Sequence, residues 1–212
     1  MKNRVKSAVE YCNSRYLSIF DDWSLIKNDE MYCWAAGGVV RDFFIDKQPR
    51  DVDVYFSTPQ DRDLATKFLV NKGFTHTDSW RKHGDHGSRG HDSLIKDGLI
   101  YETFYTQPKP TLCIDEFDFT VCACAVDNKG GFFSHNNFFE HLEKKQLHRI
   151  DPSLIDHTSS AIRELNRLQD FLSMGYTIDN KNLLSWLRRT INIDDMAHKR
   201  WERIGKYVHK PL

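Results

Sequence analysis

Several things are missing from this sequence, and each absence narrows what the chain can be. No apolar run approaches the roughly 20 residues a membrane span needs. The opening stretch from Met1 to Glu10 carries charges where a secretory leader requires an apolar core, so neither insertion nor secretion is expected. Net charge is missing too: thirty Lys and Arg offset thirty Asp and Glu. No general field draws in nucleic acid, and such a partner has to be held by a local patch. The cysteines number five, an odd count without regular spacing, with three of them between Cys113 and Cys124. That usage suits buried thiols in a reducing compartment, and a cytoplasmic protein is expected. No internal repeat and no low-complexity tract interrupts the chain.

Core-forming residues are plentiful. Hydrophobic residues make up 40% of the chain and aromatics 13%, including fourteen Phe and five Trp. That is enough for 212 residues to fold around one core, or one core with an appendage, without a disulfide or structural metal. Val5, Ala8, Val9 and Cys12 recur at helical spacing. Tyr32 to Ala36 is an apolar run of strand length stopped by Gly37-Gly38, and Val39 to Asp46 predicts a short helix. Asp51 to Phe56 begins with the two-residue period of a strand, and Ser57-Thr58-Pro59 then announces a helix over Asp61 to Gly73.

The polar stretch from His76 to Asp92, rich in Gly and His, predicts a strand end followed by a mobile loop. Strands are expected over Leu99 to Thr106 and Glu116 to Val126. From Ser159 the pattern turns helical: Ile162, Leu165, Leu168 and Leu172 form one stripe, Leu183, Leu184 and Leu187 a second, and Met196 to Val208 a third. The alternating strands and helices imply a mixed α/β core over residues 1–150, and 151–212 a small helical appendage, with the boundary near Asp151-Pro152.

The chemistry concentrates between residues 37 and 53. Asp51 and Asp53, two apart on a strand, project to one face, where their carboxylates can share divalent cations. Taken alone, such a pair is more often a solvated strand face. Gly37-Gly38 between a strand and a helix start changes that, because glycine lets backbone N–H groups approach a phosphate. Arg41 on the short helix is placed to reach a triphosphate, and Arg50 to pair with an adjacent carboxylate or a phosphate. Each of these could separately be a tight turn or a solvated charge. Asp118, flanked by Phe117 and Phe119, is the candidate third metal ligand, since an acid among aromatics is costly to bury unless paired or metal-bound. His76, His83, His86 and His91 match no closed zinc site.

These residues resemble a known family. Ala36-Gly37-Gly38-Val39-Val40-Arg41-Asp42 followed by Arg50-Asp51-Val52-Asp53-Val54 is similar to the head domain of class II tRNA nucleotidyltransferases and bacterial poly(A) polymerases. The segment from Glu116 to Asp127 resembles that family's Arg-Arg-Asp-Phe-Thr stretch, and Met174-Gly175-Tyr176 resembles its Leu-Gly-Phe turn. The resemblance covers residues 30–185. It implies an α+β fold of the DNA polymerase β nucleotidyltransferase type, a mixed sheet flanked by helices with a small C-terminal helical appendage. It further implies Asp51, Asp53 and Asp118 in the catalytic and metal site, holding two Mg²⁺ ions that Mn²⁺ can replace. Gly37, Gly38, Arg41 and Arg50 stand at nucleotide-binding positions, and Arg163 matches a base-reading arginine. The chain departs at Glu116-Phe117, where the family has paired arginines, at Cys122 for an asparagine, and at Ser159-Ser160, where an acidic pair would read the base.

The expected reaction is attack of an acceptor hydroxyl on the α-phosphate of a nucleoside triphosphate, with pyrophosphate leaving. An RNA 3′ end of the tRNA kind is the acceptor the resemblance favours. Small-molecule or protein acceptors remain open, as does a non-catalytic module that binds nucleotide or RNA. No DNA or membrane partner is expected. Arg188, Arg189, Lys199, Arg200, Arg203, Lys206 and Lys210, with Trp186 or Trp201 for stacking, offer RNA contacts or simply a solvated helical face.

Overall fold

The computed structural model describes residues 1–25, 31–84, 87–150 and 158–184, and of 22–25, 81–84, 87–89 and 158–164 the backbone alone. In order, the elements are α1 (Lys2–Cys12), β1 (Cys33–Ala36), α2 (Gly38–Phe44), β2 (Asp51–Phe56), α3 (Pro59–Asn71), β3 (Thr75–Gly84), β4 (Gly87–Lys96) and β5 (Leu99–Tyr105). They continue with α4 (Pro110–Ile114), β6 (Cys124–Asp127), β7 (Phe132–Ser134), α5 (Phe138–Glu143), β8 (Gln146–Leu147), α6 (Thr158–Ser173) and β9 (Thr177–Ile178). Seven strands make one mixed sheet in the order β3-β4-β5-β2-β1-β6-β7, in which β2 and β5 run parallel and every other neighbouring pair antiparallel.

The compact units are two: Met1–Phe117 with Val121–Phe138, and Asp118–Thr120 with the chain from Phe139 onward. The first holds the whole seven-stranded sheet. The second takes in 139–150.

In the first unit, β1 is buried along its whole length because it lies inside the sheet with both faces covered. On β2 the alternation holds over its first half: Val52 and Val54 are inaccessible to solvent while Asp51 and Asp53 are half-buried, and Tyr55 and Phe56 are then both buried. Helices cover the Val52–Val54 face. Tyr101 on β5 donates from its hydroxyl to the Tyr16 carbonyl at 3.2 Å, and Thr66 of α3 contacts Thr103 Oγ1 at 2.8 Å and Asp92 at 3.2 Å. Phe20 packs on Phe56 and Phe68. α3 begins where the sequence announces it: Thr58 Oγ1 accepts from the Asp61 amide at 3.0 Å and Pro59 follows at the first helical position.

Two segments differ from expectation. The stretch from His76 to Asp92 is no loop but a long hairpin, β3 paired with β4 from Thr75↔Ile95 to Gly84↔Gly87. Backbone pairing at the sheet margin needs no apolar period, so the hydrophobic signature of a strand is missing from its sequence. The strand expected over 116–126 starts only at Cys124, preceded by a 3₁₀ turn over Thr120–Cys122. Asp118 to Thr120 instead leave the sheet. The Asp118 carbonyl accepts from the Ile150 amide, the Thr120 amide donates to the His148 carbonyl, and Phe119 forms a single bridge with Arg149.

The second unit pairs β8 with β9 in parallel, and its interior includes Leu147, Leu168, Phe171 and Tyr176. Phe171 stands between Phe119 and Tyr176 in edge-on ring contacts. The stripe on α6 is therefore shifted: Leu168 is buried as expected, but Phe171 joins it while Leu165 and Leu172 are exposed. Leu183 and Leu184 begin the second expected stripe, with Leu184 exposed. The stripe from Met196 to Val208, the basic residues from Arg188 onward, Trp186, Leu187, Trp201 and His86 lie outside the described residues. Among the described residues no helix is long and apolar enough to cross a membrane.

Candidate functional site

β2 carries the two acids as its period dictates, Asp51 and Asp53 on the face opposite Val52 and Val54. The turn between β1 and α2 meets them. Gly37 has φ +76° and ψ −130°, a conformation that L side chains rarely adopt. A side chain added at Gly37 would place its Cβ 3.7 Å from Asp53 Oδ2 and 3.7 Å from the Phe117 ring. Asp53 thus lies directly against the glycine turn.

The turn is tied into the sheet. The Gly37 amide donates to the Cys124 carbonyl at 2.9 Å, which anchors the cradle but removes that N–H from the set that can meet a phosphate. α2 opens with the Arg41 amide donating to the Gly37 carbonyl at 2.9 Å. The amides of Gly38, Val39 and Val40 precede the first intrahelical bond, and they are the donors a helix start offers to an anion.

Arg41 lies under this turn, with its Nη2 3.6 Å from the Cβ position of Gly38. Its guanidinium is held: Nε donates to Asp42 Oδ1 at 2.7 Å, Nη2 pairs with the same oxygen at 2.6 Å, and Nη1 reaches Cys122 Sγ at 3.4 Å. Burial opposes its charge, but Cys122 and Asp42 outweigh that and push its pKa above the ordinary arginine value. Burial in turn raises the Asp42 carboxyl above the usual range; Arg41 and Lys47 oppose the rise, and the negative charge of Asp51 adds to it. Arg50 is exposed, and its Nε donates to Asp51 Oδ2 at 3.3 Å.

Asp118 belongs to the second unit, where its carboxylate accepts from Arg167 Nη1 at 2.6 Å. Arg163 sits on α6, with its side chain outside the described atoms. Among the described residues no three His, Cys, Asp or Glu side chains group to hold a metal, so Asp51 and Asp53 are a pair rather than part of a closed cage. Sequence reasoning missed Glu102. The parallel register sets it beside Asp53 on the next strand, and its carboxylate accepts from Ser93 Oγ at 3.0 Å. An acid within the apolar Leu99–Tyr105 strand was the available signal.

Residues 7–145 match the model of a family described as Gabija anti-defense 2 family protein, Gad2. This chain belongs to the Gad2 family. The matched segment contains the glycine turn, both β2 acids and Asp118, and ends before Arg163. Solved structures similar to this Gad2-family chain include tRNA-processing enzymes. The Thermotoga maritima CCA-adding enzyme complexed with tRNA is 17% identical, with a TM-score of 0.56 over 79% of this chain and 38% of its own. A tRNA nucleotidyltransferase complexed with a primer tRNA and an incoming ATP analog is 19% identical, with a TM-score of 0.57 over 84% of this chain and 50% of its own. A tRNA-processing enzyme in an apo form is 18% identical, with a TM-score of 0.57 over 91% and 48%. The chain spans half or less of the length of each. At these identities the likeness establishes the α+β nucleotidyltransferase-like fold, while the family is Gad2 rather than the class II enzymes that the motifs resemble.

Proposed function

We propose that this Gad2-family chain is a metal-dependent nucleotidyltransferase that moves a nucleoside monophosphate from a triphosphate to an acceptor hydroxyl, an RNA 3′ end. The observation that carries this reading is the 3.7 Å approach of Asp53 Oδ2 to the Cβ position of Gly37, which sets one acid of the β2 pair against the glycine turn that opens α2. Asp51 and Asp53 would hold Mg²⁺, with Mn²⁺ as a substitute. They suit it: hard oxygen donors, half-buried, leaving part of the coordination shell to water and phosphate oxygens. When bound, the cation would ease loss of the acceptor hydroxyl proton and offset the charge on the triphosphate.

The protein's own groups position the reactants. The amides of Gly38 to Val40 receive the β and γ phosphates, and Arg41 beneath them supplies positive charge without leaving Asp42. Arg50 exchanges Asp51 for a phosphate oxygen as the triphosphate enters. The acceptor oxygen then bonds to the α-phosphorus, the bridge to the β-phosphate breaks, and pyrophosphate leaves with the bonding electrons. Asp118, paired with Arg167, and Arg163 on α6 belong to the second unit and are given no part in this transfer. Without the acidic pair that the resembled family uses to read a base, selection of C then A is not expected here. The family description names Gabija anti-defence and no reaction; on this reading the acceptor would be a molecule on which that defence depends.

The test is incubation with Mg²⁺, each of four labelled triphosphates, and bulk RNA. Label on RNA is expected, and Asp53→Ala should reduce it at least about a hundredfold while melting as the parent does. Transfer by Asp53→Ala at the parent rate would end the catalytic reading. A second reading, nucleotide or RNA binding without transfer, is favoured by Glu116-Phe117 in place of paired arginines and by the hold of Asp42 on Arg41. Triphosphate binding with no label on RNA, protein or small molecule would select it.

A further inference from the structure

The glycine turn that opens α2 is bordered by an aromatic ring as well as by an acid. A side chain added at Gly37 would place its Cβ 3.7 Å from Cε2 and 3.7 Å from Cζ of Phe117, the same distance as from Asp53 Oδ2. Ring edge and carboxylate therefore converge on one point beside the turn. Phe117 arrives there from α4, on which Cys113 and Ile114 are 1% and 4% exposed. The Glu116 and Phe117 amides donate to the carbonyls of that buried pair at 3.2 and 3.3 Å, so a packed helix end fixes where the ring goes. Two residues here stand where the resembled family has paired arginines. Glu116 accepts from Gln107 Nε2, while Phe117 reaches the turn. All of these residues belong to the first unit.

Core packing does not account for this ring. Phe119, two residues on, is buried as a core aromatic is, whereas Phe117 is half-buried. Among the described residues the ring against it is Tyr55, with centroids 6.2 Å apart and planes inclined at 59°, a contact that does not lay one face on another. Tyr55 is two residues beyond Asp53 on β2, so Phe117 stands on the face that carries the acids. A phenyl ring has no hydrogen-bond donor or acceptor, so it can neither grip a phosphate nor read a base edge. What it offers is an apolar π surface. In the transfer reading the β and γ phosphates lie on the Gly38 to Val40 amides and the α-phosphate at the acids, which leaves the nucleoside as the part that meets this surface.

We propose that Phe117 is the wall of the triphosphate subsite against which the nucleobase stacks, and that purine triphosphates are preferred there because they present the larger π face. The proposal rests on the transfer reading above and names how the nucleoside is held. An arginine at this position would pair with phosphates or hydrogen-bond a base edge. The phenyl ring selects by stacking area alone. Its presence in place of arginine is then a change in recognition chemistry, in keeping with Ser159-Ser160 where the resembled family has its base-reading acids.

The experiment measures equilibrium binding of ATP, GTP, CTP, UTP and inorganic tripolyphosphate to the full chain in Mg²⁺, alongside the transfer assay. The parent should bind ATP and GTP several-fold more tightly than CTP and UTP, and all four more tightly than tripolyphosphate. Phe117→Ala should weaken ATP binding roughly tenfold and leave tripolyphosphate binding unchanged. Phe117→Leu keeps an apolar side chain at this half-buried position; it should lose the purine preference while melting as the parent does, and Phe117→Trp should retain the preference. Parental ATP affinity in both Phe117→Ala and Phe117→Leu, equal weakening of ATP and tripolyphosphate, or a parent that does not separate purine from pyrimidine would overturn the wall. Purine-selective binding that depends on Phe117, in a protein that transfers no label, leaves the wall standing and removes the enzyme. Label transfer with binding indifferent to Phe117 does the reverse.

Discussion

Gly37 and Gly38 are neighbours in sequence with opposite conformational demands. Gly37 sits at φ +76°, while Gly38 already has helical geometry and has only the end of Arg41 within 4 Å of its Cβ position. Gly37→Ala should therefore destabilise the protein by about 1–3 kcal/mol, since the contacts at 3.7 Å are ordinary and the cost is backbone strain. Gly38→Ala should be neutral or stabilise by up to about 1 kcal/mol through better helix propensity. Paired urea denaturation curves check both, and equal destabilisation by the two would mean the turn is misread. These residues and the β2 acids were legible in sequence because the constraint on each is local, a glycine-only turn and a two-residue period. Glu102 was not, because its place beside Asp53 follows from strand pairing across residues far apart in the chain.

At the scale of elements, α3 is opened by a side-chain cap from Thr58. Thr58→Ala removes the bond to the Asp61 amide and should cost about 1 kcal/mol, read as a lower melting temperature. An unchanged melting temperature would mean Pro59 alone sets the helix start. β2, α2 and α3 could be read from periodicity and capping, whereas the β3–β4 hairpin could not. Its residues are largely exposed as far as Trp80, and what makes it a hairpin is backbone pairing along its whole length. The segment around Asp118 failed for the reverse reason: Phe117, Asp118 and Phe119 alternate as a strand would, yet Phe119 makes one bridge and Asp118 turns to Arg167.

For the whole molecule, the five cysteines are all reduced and buried. Burial pushes the Cys12 and Cys113 thiols up from 9.0 to about 12, with Cys33 and Cys124 raised as well. A thiol raised on folding contributes stability that is fully present below pH 9 and lost as pH climbs through its folded value. Between pH 9 and 12 the loss should be roughly 1 kcal/mol per thiol for each pH unit. Urea denaturation at pH 8 and pH 10 should show it. The native protein at pH 8 should also resist a thiol-alkylating reagent that labels all five sites after unfolding. Rapid native labelling would contradict the burial.

By itself, the sequence determined the local devices: the glycine turn, the acid pair with its parity, the capped helix that follows and the reduced state of the thiols. Each depends on residues within a few positions of one another, where dihedral preference and period decide the outcome. Only the tertiary structure decided that Asp53 lies against Gly37, that Glu102 stands beside it, and that the Phe117 ring reaches the same turn. Strand register is set by the pairing of distant segments, and no local propensity encodes it.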